Sequence, residues 1–439
     1  MKQGRQAPHQ LLWAFCCLCL GLMALTTLPS SIPRARAARV IPVVATVAQP
    51  DPPQHLDLAT AWGAPPIRRL PTQIDEGHRF VFGDAVTADG KWLVGSIEPR
   101  LIFAATNETP VIALYNVETR EILRLHTTRT PRSQLLGAAS DGDWVVWSEA
   151  TDVLRNADWT MYAYNMTTKQ ITQLAQANRL NGEAVAGTMP YPAMDHGLIV
   201  WAQETASSPT DQPRSVVRML DITSGVTTTL GEGIDPSISW PRVAWRDESG
   251  RDKVRANVPV SSDTLNVQNI ETKKSLRIRG SAESLMLDGR TLAICQPLSL
   301  DVVNDLNRGL DASTTILNVN APNHLQDVTM SARLIGWTQV GPAEVWDRLL
   351  RVFVILPIRN GQSATWVHGN TLIWLDPEPP EAQRDDVEKN LYPTPDINVI
   401  DVTTLPTKLT PHTTPDTTPY PSPDLTPDST PALTPSPGL

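Results

Sequence analysis

Cysteine is almost absent from this chain. Four occur in 439 residues, and Cys16, Cys17 and Cys19 sit together in one apolar stretch, so only Cys295 remains beyond it. No intrachain disulfide can form once that stretch is removed, and a disulfide-stapled small domain is excluded. The close CxC and CxxC spacings among Cys16, Cys17 and Cys19 read as apolar filler, not as a metal site. The remaining histidines, His55, His78, His126, His196, His324, His368 and His412, have no second His or Cys at ligand spacing, so no metal is expected. H-E-x-x-H, G-x-S-x-G, a glycine-rich phosphate loop and an Asp-rich calcium loop are all missing. The chain therefore reads as non-catalytic and without a cofactor. Positive charge is also short: 37 Lys and Arg stand against 46 Asp and Glu, for a net charge of −9. That disfavours nucleic acid as a partner.

The first ten residues carry Lys2 and Arg5 and no acid. An apolar run from Leu11 to Leu28 follows, then Pro29, Pro33 and the triplet Ala35-Arg36-Ala37. A positive start, an apolar core and an A-x-A site make residues 1–37 a secretory signal peptide. A run of about 18 residues is also long enough to span a bilayer, so an uncleaved anchor is the rival reading and the only membrane contact expected. The protein is expected to be secreted or extracytoplasmic, at the cell envelope, and monomeric. Residues 38–79 read as a Pro-rich linker that can also supply a closing strand. From 410 to 439 the chain holds nine prolines and no Lys or Arg. Too few apolar groups remain to offset the ordering entropy, so this is a disordered Thr/Pro-rich tail.

Between linker and tail the sequence repeats. An apolar strand ending in Trp recurs at Trp144-Val145-Val146-Trp147, Leu198-Ile199-Val200-Trp201, Arg242-Val243-Ala244-Trp245, Leu334-Ile335-Gly336-Trp337 and Thr371-Leu372-Ile373-Trp374. Trp92-Leu93-Val94-Gly95 and Leu292-Ala293-Ile294-Cys295 are weaker copies. The markers are thus Gly95, Trp147, Trp201, Trp245, Cys295, Trp337 and Trp374, and core packing explains their recurrence at one structural position. Most are followed by a strand closing on Asn or Asp: Asn116, Asn165, Asp221, Asn269 and Asp401, with Asn320 as a partial copy and Leu356-Pro357 out of pattern. Such residues nucleate turns by bonding the backbone two residues on. Asp89-Gly90, Asp141-Gly142 and Asp288-Gly289 suit the tight hairpin before each marker strand.

Period-two runs of five to seven residues, with no long helical period after the leader, make residues 80–409 all-β. Four short strands per roughly 50 residues, repeated about seven times, predict a β-propeller of about seven four-stranded blades; six or eight are the alternatives.

Thr87-Ala88-Asp89-Gly90-Lys91-Trp92-Leu93-Val94 resembles the S-P-D-G-K element of the TolB-like, WD40-like (PD40) propellers of bacteria. The resemblance covers roughly residues 80–410 and lacks the proline of that element. It implies a propeller fold, in a family that includes a periplasmic protein docking an outer-membrane lipoprotein. It does not transfer a ligand.

Loop lengths give the candidate binding face. The turn before each marker is short, whereas 97–109, 149–158, 203–213, 247–262, 297–313, 339–349 and 376–395 read as long connections on one face. Long loops on a rigid scaffold carry function. Trp and Arg are enriched at interfaces, which singles out Trp159, Arg251 and Trp346 as ligand-face residues. A protein or peptide partner is the first expectation. A glycan ligand, with the paired loop acids as cleaving groups, and a purely structural display role are the others.

Overall fold

The computed structural model describes residues 53–101, 107–152, 157–206, 208, 213–247, 264–279, 282–307, 313–318, 325–358, 362–378, 380–389 and 391–409. The expected leader and the Thr/Pro-rich tail lie outside these residues. Among the described residues no helix is long and apolar enough to cross a membrane.

Among the described residues seven four-stranded antiparallel units succeed one another, with strands in chain order from the innermost outward except in the seventh, whose outermost strand comes from residues 68–71. They span 78–127, 134–176, 193–232, 234–279, 284–318, 325–355 and 362–401. The innermost strands touch in turn, and that of blade 7 (Gln362–His368) touches that of blade 1 (His78–Val86). The ring therefore closes, and the protein is a seven-bladed β-propeller.

Each second strand is covered on both faces, which is why it reads as a continuous apolar run and not as an alternation. In blade 2, Val145 and Trp147 face Val94, Ile112 and Leu114 of blade 1. Val146 points the other way, against Ile199 and Trp201 of blade 3. The same division recurs between each pair of neighbours, so the core is seven inter-blade layers. Trp147, Trp337 and Trp374 have no exposed surface and Trp201 very little. Gly95 holds the marker position of blade 1 because the space is taken: a Cβ there would run into the Val81 carbonyl oxygen and sit 2.5 Å from the Phe80 ring.

Blade 5 corrects the expected register. Asp288 pairs with Thr291 as Asp141 pairs with Trp144, which makes Ile294 the counterpart of Trp147. Ile294 packs toward blade 4, whereas Cys295 points to the opposite face and packs toward blade 6. Adjacent residues of a strand face opposite sides, so a one-residue slip changes the neighbour.

The turns that end the third strands also shift. Opposite the start of each second strand stand Asn116, Asn165, Asp221, Asn269, Asp347 and Asp401, and Asn304 follows Val303 at the same place in blade 5. The two repeats that looked degenerate therefore carry the same residue type, at Asn304 and Asp347; Asn320 lies outside the described residues, and Leu356-Pro357 follows the strand Val352–Ile355. Asn116 Oδ1 accepts from the amides of Glu118 and Thr119, both at 2.8 Å, and Asp347 Oδ1 does so from Leu349 and Leu350, both at 3.0 Å.

The ring is fastened by the N-terminal segment. A short strand β1 (His55–Asp57) adds in parallel to the outermost strand of blade 6, Val352–Ile355. Helix α1 (Leu58–Trp62) follows, capped by Asp57, whose carboxylate accepts from the Thr60 amide at 2.7 Å. Strand β2 (Arg68–Pro71) then supplies the outermost strand of blade 7, antiparallel to Asp396–Asp401. Residues 53–71 are thus integral to the last two blades. Closing the sheet this way leaves no unpaired edge at the seam.

Candidate binding face

The connections between second and third strands leave the propeller on one face, together with the inter-blade crossings. In blades 1, 2, 3, 4 and 7 they are 100–110, 151–158, 206–213, 247–263 and 377–395. On the opposite face, second strands are reached by two-residue turns such as Gly142-Asp143, where Gly142 has φ +52. The expected asymmetry fails in two blades. Residues 297–313 contain strand Ser299–Val303 and reach the first residue of Ser313–Asn318, and 339–349 contains Glu344–Asp347. Pro297-Leu298 and the 341–343 turn are the only residues connecting second to third strands there.

Two of the three expected contact tryptophan and arginine positions are buried. Trp159 opens the third strand of blade 2 opposite Ala150 and packs with Met161 and Trp201. Trp346 precedes the Asp347 turn, pairs with Ile335 and lies 4.8 Å from the Phe353 ring. Both are framework residues of their blades, so neither offers its indole to a partner. Arg251 lies outside the described residues.

What this face does present is a set of pinned loops. Helix α2 (Pro380–Glu388) lies in the blade 7 connection, and Asp386 on it binds Arg100 of blade 1 at 2.6 Å. The Arg79 guanidinium lies 4.3 Å over the Tyr392 ring and donates to the Pro393 carbonyl at 3.3 Å. Leu101 and Leu391 bridge the same two segments, and Leu101 and Tyr392 leave apolar surface exposed. The connection of blade 7 is thereby tied down across the seam onto blade 1. Beside it, His78 Nδ1 meets Asp75 at 2.8 Å and Nε2 meets Glu108 at 3.0 Å. Burial alone lowers the pKa of His78, but the bonds to Asp75 and Glu108 outweigh it and raise it above the ordinary range.

A second set of side chains escaped the sequence reading. In blades 2 to 7, two residues beyond the marker position (Ile294 in blade 5) stand Glu149, Gln203, Asp247, Gln296, Gln339 and Asp376, near the long-loop end of the second strands, whereas blade 1 has apolar Ile97 there. Glu149 lies 3.4 Å from His126 of blade 1, and Gln203 donates to the Gln176 carbonyl of blade 2 at 3.2 Å. Gln339 accepts from Trp337 Nε1 at 3.0 Å, and Asp376 lies 3.5 Å from Arg69. The signal was present as a polar residue at marker plus two, in a strand otherwise apolar. Neighbouring Glu204 accepts from the Thr188 amide at 2.6 Å and from Ser215 Oγ at 2.5 Å, anchoring a crossing loop.

The central axis is acidic. Asp84, Asp235 and Asp327 sit at bulges of the innermost strands of blades 1, 4 and 6, with φ of 64, 48 and 46. The surrounding protein desolvates Asp84 and, with the nearby Asp327 charge, pushes its pKa up to about 7, against a hydrogen bond from Trp366. Crowding by the surrounding protein and then the Asp235 and Glu283 charges raise Asp327, although, like Asp84, it still exposes surface to solvent. Among the described residues, no three His, Cys, Asp or Glu side chains converge as metal ligands.

No family model and no curated protein matches the chain. Solved structures do match. One is the β-propeller domain of the trilobed protease from Pyrococcus furiosus, 9% identical, covering 69% of this chain and 90% of that one, with a TM-score of 0.44. A prolyl endopeptidase is 10% identical with a TM-score of 0.46, covering 65% of this chain and 44% of its own. An acylaminoacyl peptidase is 9% identical with a TM-score of 0.43, covering 68% and 49%. This chain thus spans less than half the length of either peptidase.

Proposed function

We propose that this protein is an exported, non-catalytic propeller of the TolB-like type that binds a protein or peptide partner at the cell envelope through its long-loop face. The observation that carries the reading is the pinned blade 7 connection, which holds exposed Leu101 and Tyr392 beside the half-buried Arg79 on one fixed surface, with buried Arg100 anchoring Asp386. A preorganised patch of aromatic, aliphatic and arginine side chains is what protein partners use as an anchor. The acidic, proline-rich tail then acts as a solvated spacer. The histidine on this face has both ring nitrogens against carboxylates, an arrangement that favours positioning over proton transfer to a substrate.

Co-purification from the native envelope tests this. Leu101→Ser with Tyr392→Ala should abolish capture of the partner at unchanged melting temperature, while Trp240→Ala on the opposite face should leave it intact. Capture that survives the first pair and fails with the second would overturn the assignment.

A further inference from the structure

The layer between blades 1 and 2 departs from the others at two positions. In the outermost strand of blade 1, His126 pairs with Ile112. Its counterparts in blades 2, 3, 4 and 5 are Ala175, Gly231, Ile278 and Leu317, none of which carries a polar side chain. In the second strand of blade 2, Glu149 stands two residues beyond Trp147. At that place Gln203, Gln296 and Gln339 are neutral and hydrogen-bonded, and Asp247 and Asp376 have partners. Glu149 is 2% exposed, and neither of its carboxylate oxygens has a hydrogen-bond partner among the described residues. A buried carboxylate in that state is costly, so its presence calls for a reason.

The two departures meet. His126 Nε2 lies 3.4 Å from Glu149 Oε2, which is ion-pair distance, yet the two atoms are out of hydrogen-bond alignment and Nε2 is buried without a partner. An imidazolium paired with this carboxylate would aim its N–H at the oxygen. Two ligands of one metal ion do not face each other, because each turns a lone pair to a common third point. Bonds of about 2.0–2.2 Å at a tetrahedral angle set a nitrogen and an oxygen about 3.4 Å apart. Thr160 pairs with Glu149 across the strands, and its Oγ is equally buried and unpartnered, ready for a third position. The His126 ring is fixed against Tyr162, with centroids 4.8 Å apart, and its side chain is 24% exposed. Solvent therefore reaches the site from that side and supplies a fourth ligand.

The donor set selects the ion. Calcium and magnesium take oxygen ligands, and soft ions take thiolates, so an imidazole beside a carboxylate and a hydroxyl suits zinc and its first-row neighbours. We propose that His126 and Glu149, with Thr160, bind one divalent ion of the zinc type between blades 1 and 2. The ion compensates the buried carboxylate and joins two blades that otherwise meet through apolar side chains. Among the described residues no third His, Cys, Asp or Glu joins the pair, so the site is exchangeable and not a closed structural cage. It is separate from the long-loop patch and does not depend on its partner.

Calorimetry with zinc and visible spectroscopy with cobalt would test it on the full chain, its accessible thiols alkylated so that Cys16, Cys17 and Cys19 do not compete. One ion should bind per chain, and zinc should raise the melting temperature. Glu149→Gln, and His126→Phe, which keeps a ring against Tyr162, should each weaken binding about 100-fold and remove the thermal shift. His196→Gln, at an exposed histidine beside Asp195, should leave binding unchanged. The proposal is overturned if no ion binds at about 1 mM, for then the two side chains form an ion pair alone. It is equally overturned if binding survives either substitution at the site or is lost with His196→Gln. Should a site variant fail to fold, X-ray absorption of the zinc-loaded wild type decides: one imidazole among oxygen ligands supports the site, and none or several overturns it.

Discussion

Trp62 donates its indole N–H to Asp347 Oδ2 at 3.0 Å across 285 residues of sequence. The same oxygen accepts from Arg333 Nη2 at 2.9 Å and Nε at 3.2 Å, and Arg333 donates onward to the carbonyls of Leu405 and Pro406. One carboxylate thus joins helix α1, the turn of blade 6 and the C-terminal end of the described chain. Asp347 is fully buried and Arg333 largely so. Asp347→Ala leaves that guanidinium uncompensated and should cost about 3–5 kcal/mol. Trp62→Phe removes one hydrogen bond and should cost about 1–2 kcal/mol. Urea unfolding would measure both, and a loss under about 1 kcal/mol for Asp347→Ala would show that closure does not lean on this network.

Asp347 also shows where the sequence was readable and where it was not. Trp346-Asp347-Arg348-Leu349-Leu350-Arg351 follows the plan of Tyr115-Asn116-Val117-Glu118-Thr119-Arg120, down to a positive φ at Arg351 and Arg120. The tight 341–343 turn brings Trp346 only nine residues after Trp337, so its strand was read as loop. The marker tryptophans were legible because packing between blades imposes one side-chain type at one register. Loop lengths obey no such demand, which is why two blades depart. The closing strand was only a permitted role of the linker, since Arg68–Pro71 draws its register from Asp396–Asp401, more than 300 positions away.

Cys295 should be inert in the folded protein. It has no exposed surface, and burial pushes its thiol up to about 12. The thiolate is the reactive species, so labelling must wait for unfolding. Reaction with an aromatic disulfide reagent should follow the unfolding rate and show no fast phase. Labelling within seconds in native buffer would place the thiol elsewhere.

The short turns facing away from the long loops tie neighbouring blades together. Asp141 Oδ2 accepts from the Gly197 amide at 2.8 Å, Asp195 Oδ2 from the Trp240 amide at 2.6 Å, and Ser239 Oγ from the Gly289 amide at 2.8 Å. These side chains occupy equivalent positions in blades 2, 3 and 4, ahead of the second strand. Asp141→Ala and Ser239→Ala should each cost about 1–2 kcal/mol by leaving an amide of the next blade unpaired. Thermal unfolding of the single variants would show it. Losses near zero for both would mean that apolar layers alone set the blade spacing.

Asp84 and His368 should give stability opposite dependences on pH. An acid whose pKa is raised by folding stabilises the native state below its unfolded value, and the contribution is lost as pH rises through the folded value. For Asp84 that window runs from the ordinary 3.8 to about 7. His368 is driven down from 6.5 to about 4 by burial, partly offset by the Asp84 backbone, so its contribution is present above 6.5 and is lost as pH falls toward 4. Asp327, also raised, acts in the same sense as Asp84. Differences from wild type separate them. Asp84→Asn, an exchange that keeps a residue tolerant of the left-handed φ of 64, should gain stability over wild type steadily between about pH 4 and 7 and then level off. His368→Gln should gain over wild type as pH falls from about 6.5 to 4. Denaturant midpoints across pH 4–8 measure both. A flat difference for Asp84→Asn would mean that water along the central axis solvates the carboxylate fully, and a gain for His368→Gln confined to alkaline pH would mean that the imidazole is held charged.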